Sequence, residues 1–127
     1  MSANKTGIVM VVEDYDDTRE LLRECLQMMG YRVIEATNGR QAVEIAFTER
    51  PDLILMDLSM PVMDGIAATL EIHAQAETQN VPIVALSAHC GQSDWSRKAL
   101  AAGCLECIGK PVELETLDRL VNRFVPN

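Results

Sequence analysis

Short apolar runs separated by longer stretches of helical period dominate this sequence, and four of the runs end on a different reactive side chain. Ile8 to Val12 leads into Glu13-Asp14, Leu53 to Met56 into Asp57, Ile83 to Leu86 into Ser87, and Leu105 to Gly109 into Lys110-Pro111. Strand-length runs alternating with helix-length segments are the mark of βαβ units and a parallel sheet. In open sheets of this kind ligands bind beyond the carboxyl ends of the strands, so groups placed there converge although they lie far apart in the chain. The pattern predicts three carboxylates, a hydroxyl and an ammonium in one crevice. Such a set suits a divalent metal and a phosphoryl group.

Five strands are expected, at Ile8 to Val12, Tyr31 to Ala36, Leu53 to Met56, Val81 to Leu86 and Leu105 to Ile108. Four are apolar through most of their length, as strands covered by helices on both faces should be. Tyr31 to Ala36 is more polar and leads to no reactive group, which predicts an edge strand. A first helix is expected from about Asp17 to Met29, capped by Asp16 or Asp17, with Leu21, Leu22, Cys25, Leu26 and Met29 as its apolar stripe and Gly30 as its stop. The second starts at Asn38-Gly39, buries Ala42, Val43, Ala46 and Phe47 and is stopped by Pro51. The third follows Asp64-Gly65 with Ile66, Thr69, Leu70 and His73 on one stripe; the fourth runs from about Ser93 to Ala102; the fifth carries Leu114, Leu117, Leu120, Val121 and Phe124.

A chain of 127 residues is expected to form one domain, structured over about 7 to 125, large enough to bury roughly two-thirds of its extended-chain surface. The net charge of −8 argues against a nucleic-acid or anionic-membrane surface, both of which need clustered Lys and Arg. Met1 to Gly7 lacks the apolar core of a secretory signal and no run reaches membrane-spanning length. A cytoplasmic chain is therefore expected, with Cys25, Cys90, Cys104 and Cys107 as thiols and not a disulfide framework. Cys104 and Cys107 have the spacing of a redox or zinc pair, but on a strand residues three apart face opposite ways, which predicts inert thiols.

Glu13 and Asp14, beside Asp57, would repel one another by about 4 kcal/mol per close pair at an effective dielectric of roughly 20. A cation must relieve this. An all-oxygen donor set without His or Cys points to Mg²⁺ and away from zinc. Asp57, delivered by an apolar strand to an irregular loop, is placed to act as a carboxylate nucleophile toward phosphorus. Neutralisation of the equatorial oxygens would fall to the metal and Lys110, with Ser87 donating a hydrogen bond. His89 borders the pocket or is an exposed loop histidine, His73 reads as a helix-face residue, Trp95 as a core anchor or part of a partner patch, and Met28, Met29, Met56, Met60 and Met63 as packing.

Glu13-Asp14, Asp57, Met60-Pro61-Val62-Met63-Asp64-Gly65, Ser87-Ala88, Ala102-Gly103 and Lys110-Pro111, in this order and spacing, resemble the receiver domain of two-component response regulators over the whole chain. It looks like a single-domain receiver of the chemotaxis type. The resemblance implies a flavodoxin-like, doubly wound five-stranded parallel sheet of order 2-1-3-4-5 with five helices on both faces. It implies that Asp57 accepts a phosphoryl group from a sensor histidine kinase or a histidine phosphotransfer protein, with Mg²⁺ required and Mn²⁺ able to substitute. Asp14 and Asp57 would be direct metal ligands, Glu13 a ligand through water and Ser59 one through its backbone carbonyl. Lys110 would contact the phosphoryl group across a cis Lys110-Pro111 bond, and Ser87 would be the switch hydroxyl. A downstream protein would bind the face formed by the fourth helix, fifth strand and fifth helix, with no direct role for nucleic acid or membrane.

The sequence departs from the family at Cys107, where receivers usually carry Tyr or Phe. A thiol fills less volume, so switching is expected to travel through the loop between the fourth strand and fourth helix. Such a module would be no enzyme beyond its own phosphotransfer and dephosphorylation. A phosphatase of the haloacid dehalogenase type would need Asp where Ser59 stands, a flavodoxin-like cofactor binder would meet repulsion from Glu13 and Asp14, and a pseudo-receiver would lack the pocket residues. Since the chain ends soon after its last helix, a stand-alone receiver is expected; a module excised from a hybrid kinase or multidomain regulator is the alternative.

Overall fold

A computed structural model describes residues 7–125 apart from 59, 61, 62, 89, 91 and 92, with the backbone alone at 93 and 95. Strands and helices alternate: β1 (Ile8–Val12), α1 (Asp16–Met28), β2 (Arg32–Ala36), α2 (Gly39–Glu49), β3 (Leu53–Asp57), α3 (Gly65–Ala74), β4 (Ile83–Ser87), α4 (Ser93–Ala102), β5 (Glu106–Gly109) and α5 (Leu114–Phe124). All the strand pairings are parallel and the sheet order is β2-β1-β3-β4-β5, as expected. β2 lies at one edge with only Ala36 buried, and β5 lies at the other with no buried residue.

The period of two along each strand divides the core into two layers. Met10, Val12, Ile54, Met56, Ile83 and Ala85 pack with Ala42, Ala46, Ala68, Ile72 and Ala99, which places α2, α3 and α4 on one face. Val9, Val11, Leu53, Leu55, Val84 and Leu86 pack with Leu22, Leu26, Leu117 and Leu120, which places α1 and α5 on the other. Asp57 therefore continues the alternation toward α1 and α5, and Ser87 the alternation toward α4.

Some local expectations are corrected. α1 begins at Asp16 with Tyr15 as its cap residue and no side-chain cap bond; Asp16 instead holds Arg19 at 2.7 Å. Leu21 is 62% exposed and Phe47 and Leu70 also face outward, because the 3.6-residue period turns each just past the edge of its buried stripe. Leu105 precedes β5 and is exposed. The Asn38 cap is present, accepting from the Gln41 amide at 2.9 Å, and α2 ends at Arg50 in the left-handed region. Gly103, at φ +117°, closes α4 where a side chain would run into His73; that imidazole is held by the Val81 carbonyl at 2.9 Å.

The expectation of four thiols is also corrected. Cys90 and Cys107 form a disulfide with a Cα–Cα distance of 5.6 Å, while Cys25 and buried Cys104 are free. Two residues 17 apart in sequence meet because β4 and β5 pair side by side, a proximity that spacing along the chain does not display. Cys104 lies ahead of β5, so strand alternation does not separate it from Cys107, and both touch the core layer beneath α2, α3 and α4.

Candidate functional site

The order β2-β1-β3 makes the chain reverse direction between β1 and β3, and the crevice outside their carboxyl ends is where such sheets bind ligands. Glu13 follows β1 directly, with its amide donating to the Ala36 carbonyl at 3.0 Å. Its own carbonyl accepts from the Arg19 guanidinium at 3.0 Å, and that guanidinium also holds Glu35. Arg19 thus ties the start of α1 and the edge strand to the site, a role invisible in the spacing of the sequence.

Asp57 is the last residue of β3 and is 3% exposed; Glu13 is 1% exposed and Asp14 faces solvent. Beyond Asp57 the chain is pinned, with the Leu58 amide donating to the Leu86 carbonyl and the Gly65 amide to the Leu58 carbonyl. Gly65 is needed here, because a Cβ would overlap the Asp57 carbonyl and lie 2.8 Å from the Leu58 Cα. α3 can start this close to the site only without a side chain at that point. Its cap is Asp64, which accepts from the Ala67 amide at 2.8 Å.

The carboxylates of Glu13, Asp14 and Asp57 each offer an oxygen within 4.8 Å of the others. Lys110 enters the same space from the end of β5, placing its Nζ 2.7 Å from Glu13 Oε1 and 3.3 Å from Asp57 Oδ1. Burial pushes the Lys110 ammonium down, but the hydrogen bond to Glu13 and the charges of Asp57 and Glu13 outweigh it, so its pKa is raised. The Lys110-Pro111 peptide is cis, and the Lys110 amide donates to the Ser87 carbonyl at 3.1 Å. Ser87, 2% exposed, closes β4 opposite Gly109.

The structure thus brings Glu13, Asp14, Asp57, Ser87 and Lys110 to one end of the sheet. The Ser59 carbonyl, His89 and the Trp95 side chain lie outside the described residues. Two buried acids and one exposed acid against a single ammonium leave an excess of negative charge around hard oxygen donors. That donor set fits Mg²⁺. A carboxylate held beside a cation site and an ammonium can accept a phosphoryl group.

The sequence matches the response regulator receiver domain family over residues 9–122. It is 34% identical over 117 residues to the polar-differentiation response regulator DivK of Brucella anthropi, covering 92% of this chain and 94% of that protein. It is also 40% identical over 120 residues to the signal transduction histidine-protein kinase BarA of Escherichia coli, where the match covers 93% of this chain but 13% of the kinase. Among solved structures it resembles the receiver domain of sensor histidine kinase PA1611 of Pseudomonas aeruginosa, with a TM-score of 0.87, 38% identity and coverage of 94% and 98%. That crystal structure has a magnesium ion coordinated in its active site cleft. A chain from the co-crystal of the yeast (Saccharomyces cerevisiae) phosphotransfer protein Ypd1 with the receiver domain of Ssk1 is also similar, with a TM-score of 0.85, 34% identity and coverage of 97% and 91%. The chain belongs to the response regulator receiver domain family.

Proposed function

We propose that this chain is a phosphorylation-activated switch of a two-component phosphorelay, in which Asp57 takes a phosphoryl group from a histidine kinase or phosphotransfer protein. The observation that carries this reading is the convergence of Glu13, Asp14 and Asp57 oxygens within 4.8 Å, with Lys110 bridging Glu13 and Asp57. Asp14 and Asp57 would hold Mg²⁺ directly, Glu13 through water and Ser59 through its carbonyl, with Mn²⁺ as a substitute. The magnesium in the similar PA1611 receiver supports the assignment. When bound, the cation supplies neutralisation of charge on the transferring group.

The remaining chemistry belongs to the chain. An Asp57 carboxylate oxygen attacks phosphorus as the bond to the donor imidazole breaks. Lys110 then trades its contact with Asp57 for a phosphoryl oxygen, and Ser87 donates to another. A hydrogen bond to such a charged acceptor contributes roughly 1.5–3 kcal/mol, enough to move a two-state equilibrium by tenfold or more. The donor protein must cover the rim of this crevice, where exposed Leu21 borders an apolar groove with Thr18, Pro111 and Val112. The co-crystal of a phosphotransfer protein with a similar receiver supports such a partner. A downstream protein would read the α4-β5-α5 face.

In this reading the chain is a single cytoplasmic receiver domain, structured over 7–125, with no turnover chemistry beyond its own phosphotransfer and dephosphorylation. Among the described residues no helix is long and apolar enough to cross a membrane. A second reading, a receiver module of a hybrid kinase, is favoured by the higher identity to the BarA and PA1611 kinases than to DivK. Intact mass after treatment with acetyl phosphate and Mg²⁺ tests the central claim. Wild type should gain one phosphoryl group and Asp57→Asn none; equal gain in both, or gain in neither, would refute the assignment.

A further inference from the structure

β4 carries both Ser87 and the start of the segment that leads to Cys90, three residues further on. Cys107 sits on β5 opposite Ala85, and Ser87 sits opposite Gly109. Strand alternation puts Ser87 on the sheet face that Ile83 and Ala85 share, and the core contacts of Cys107 place it on that same face. The disulfide therefore ties the β4–α4 segment to β5 two residue pairs away from the switch hydroxyl. The Ser96 hydroxyl donates to the Cys90 carbonyl, so the bridged residue is also coupled to the first turn of α4.

Ser87 cannot advance toward a phosphoryl oxygen unless the chain just beyond it follows. With residue 90 covalently held to β5, that segment has fewer positions open to it. The two sulfurs are well placed for reversible chemistry, since Cys90 and Cys107 are both only partly buried. Cys104, by contrast, is buried against Thr69, and burial pushes its thiol pKa up. In a reducing compartment a disulfide between two such residues is transient and redox-sensing in character.

We propose that Cys90 and Cys107 form a redox-modification site whose bridged state latches the β4–α4 segment and slows phosphoryl acceptance at Asp57. This rests on the receiver reading above and adds a second input to it. The oxidant is a small-molecule disulfide. The Cys90 thiolate attacks one of its sulfurs and expels the first small thiol; the Cys107 thiolate then attacks Cys90 Sγ and expels the second. Two electrons pass from the cysteine pair to the oxidant, and the two protons lost by the cysteines end on the released thiols.

The test uses the full chain poised with glutathione disulfide or with dithiothreitol. Non-reducing peptide mapping should show Cys90 joined to Cys107, with intact mass lower by two hydrogens. Amide hydrogen exchange around residues 88–96 should be slower in the oxidised form. Phosphoryl gain from acetyl phosphate and Mg²⁺ should be about tenfold slower when oxidised, and dithiothreitol should restore it. Cys90→Ser and Cys107→Ser should each react at the reduced wild-type rate in both conditions, while the wild-type comparison needs no substitution at all. Failure to find the linked peptide would overturn the proposal, as would a linked protein whose exchange and phosphoryl gain both match the reduced form. Reduced wild type that takes no phosphoryl group would overturn the phosphoacceptor reading and with it the effect on rate, while peptide mapping and hydrogen exchange report separately whether the latch itself forms.

Discussion

Replacing Lys110 by Met keeps most of the aliphatic stem and removes the ammonium that faces Glu13 at 2.7 Å and Asp57 at 3.3 Å. At an effective dielectric of roughly 20 these separations correspond to about 6 and about 5 kcal/mol of gross attraction. Much of that is offset by withdrawing the charges from water, and removing one partner of a buried pair costs about 3–5 kcal/mol. Lys110 keeps a quarter of its side-chain exposure, so the lower end, ~3 kcal/mol, is expected in chelator. Excess Mg²⁺, if held by these acids as proposed, would neutralise them in the native state only, so the deficit should shrink to about 1 kcal/mol or less. Urea unfolding followed by far-ultraviolet circular dichroism, with chelator and with Mg²⁺, measures both values. A deficit of equal size in the two conditions, or none in either, would show that Lys110 does not neutralise this cluster.

The same pair of proteins has a predictable response to alkali. The Lys110 pKa is raised above its ordinary 10.5 on folding, so its contribution is fully present below that value and is lost as pH climbs through the folded pKa; the stability gap should hold steady from neutrality upward and close only beyond pH 10.5. Asp14→Asn removes one like charge from the cluster and should raise the melting temperature in chelator while weakening Mg²⁺ binding at least about tenfold by calorimetry; a variant that binds Mg²⁺ as wild type does would remove Asp14 from the ligand set. Gly65→Ala forces a methyl group against the Asp57 carbonyl and should lower stability by about 1–3 kcal/mol together with Mg²⁺ affinity, whereas unchanged affinity would mean that the backbone at Asp57 does not position the site. Asn38→Ala serves as the contrast: it loses the cap bond to Gln41, about 1 kcal/mol in urea unfolding, with Mg²⁺ affinity unaltered.

Much of the architecture was written in local patterns. Apolar runs such as Leu53 to Met56 and Ile83 to Leu86 announce doubly covered strands because both of their faces must be buried, and the more polar Tyr31 to Ala36 announces an edge for the opposite reason. The positions of Glu13, Asp57, Ser87 and Lys110 at run ends sufficed to propose their convergence, since a parallel sheet brings equivalent ends together. Local rules also misplaced details: an acidic run suggested a capping aspartate at α1, yet Asp16 is drawn into an ion pair with Arg19, a competition that depends on side-chain reach.

By itself, then, the order of residues determined the strand-helix alternation, the sheet faces and the chemical inventory of the crevice, because periodicity and strand polarity are properties of neighbours along the chain. Only the tertiary structure decided that Lys110 bridges Glu13 and Asp57, that Gly65 lies against the Asp57 backbone, and that Cys90 meets Cys107. The first and last of these join residues from different βα units and the second joins the two ends of one β3–α3 connection, so their separation in space is set by strand pairing and by how closely α3 and β5 pack beside β3 and β4. No spacing rule along one dimension contains those distances.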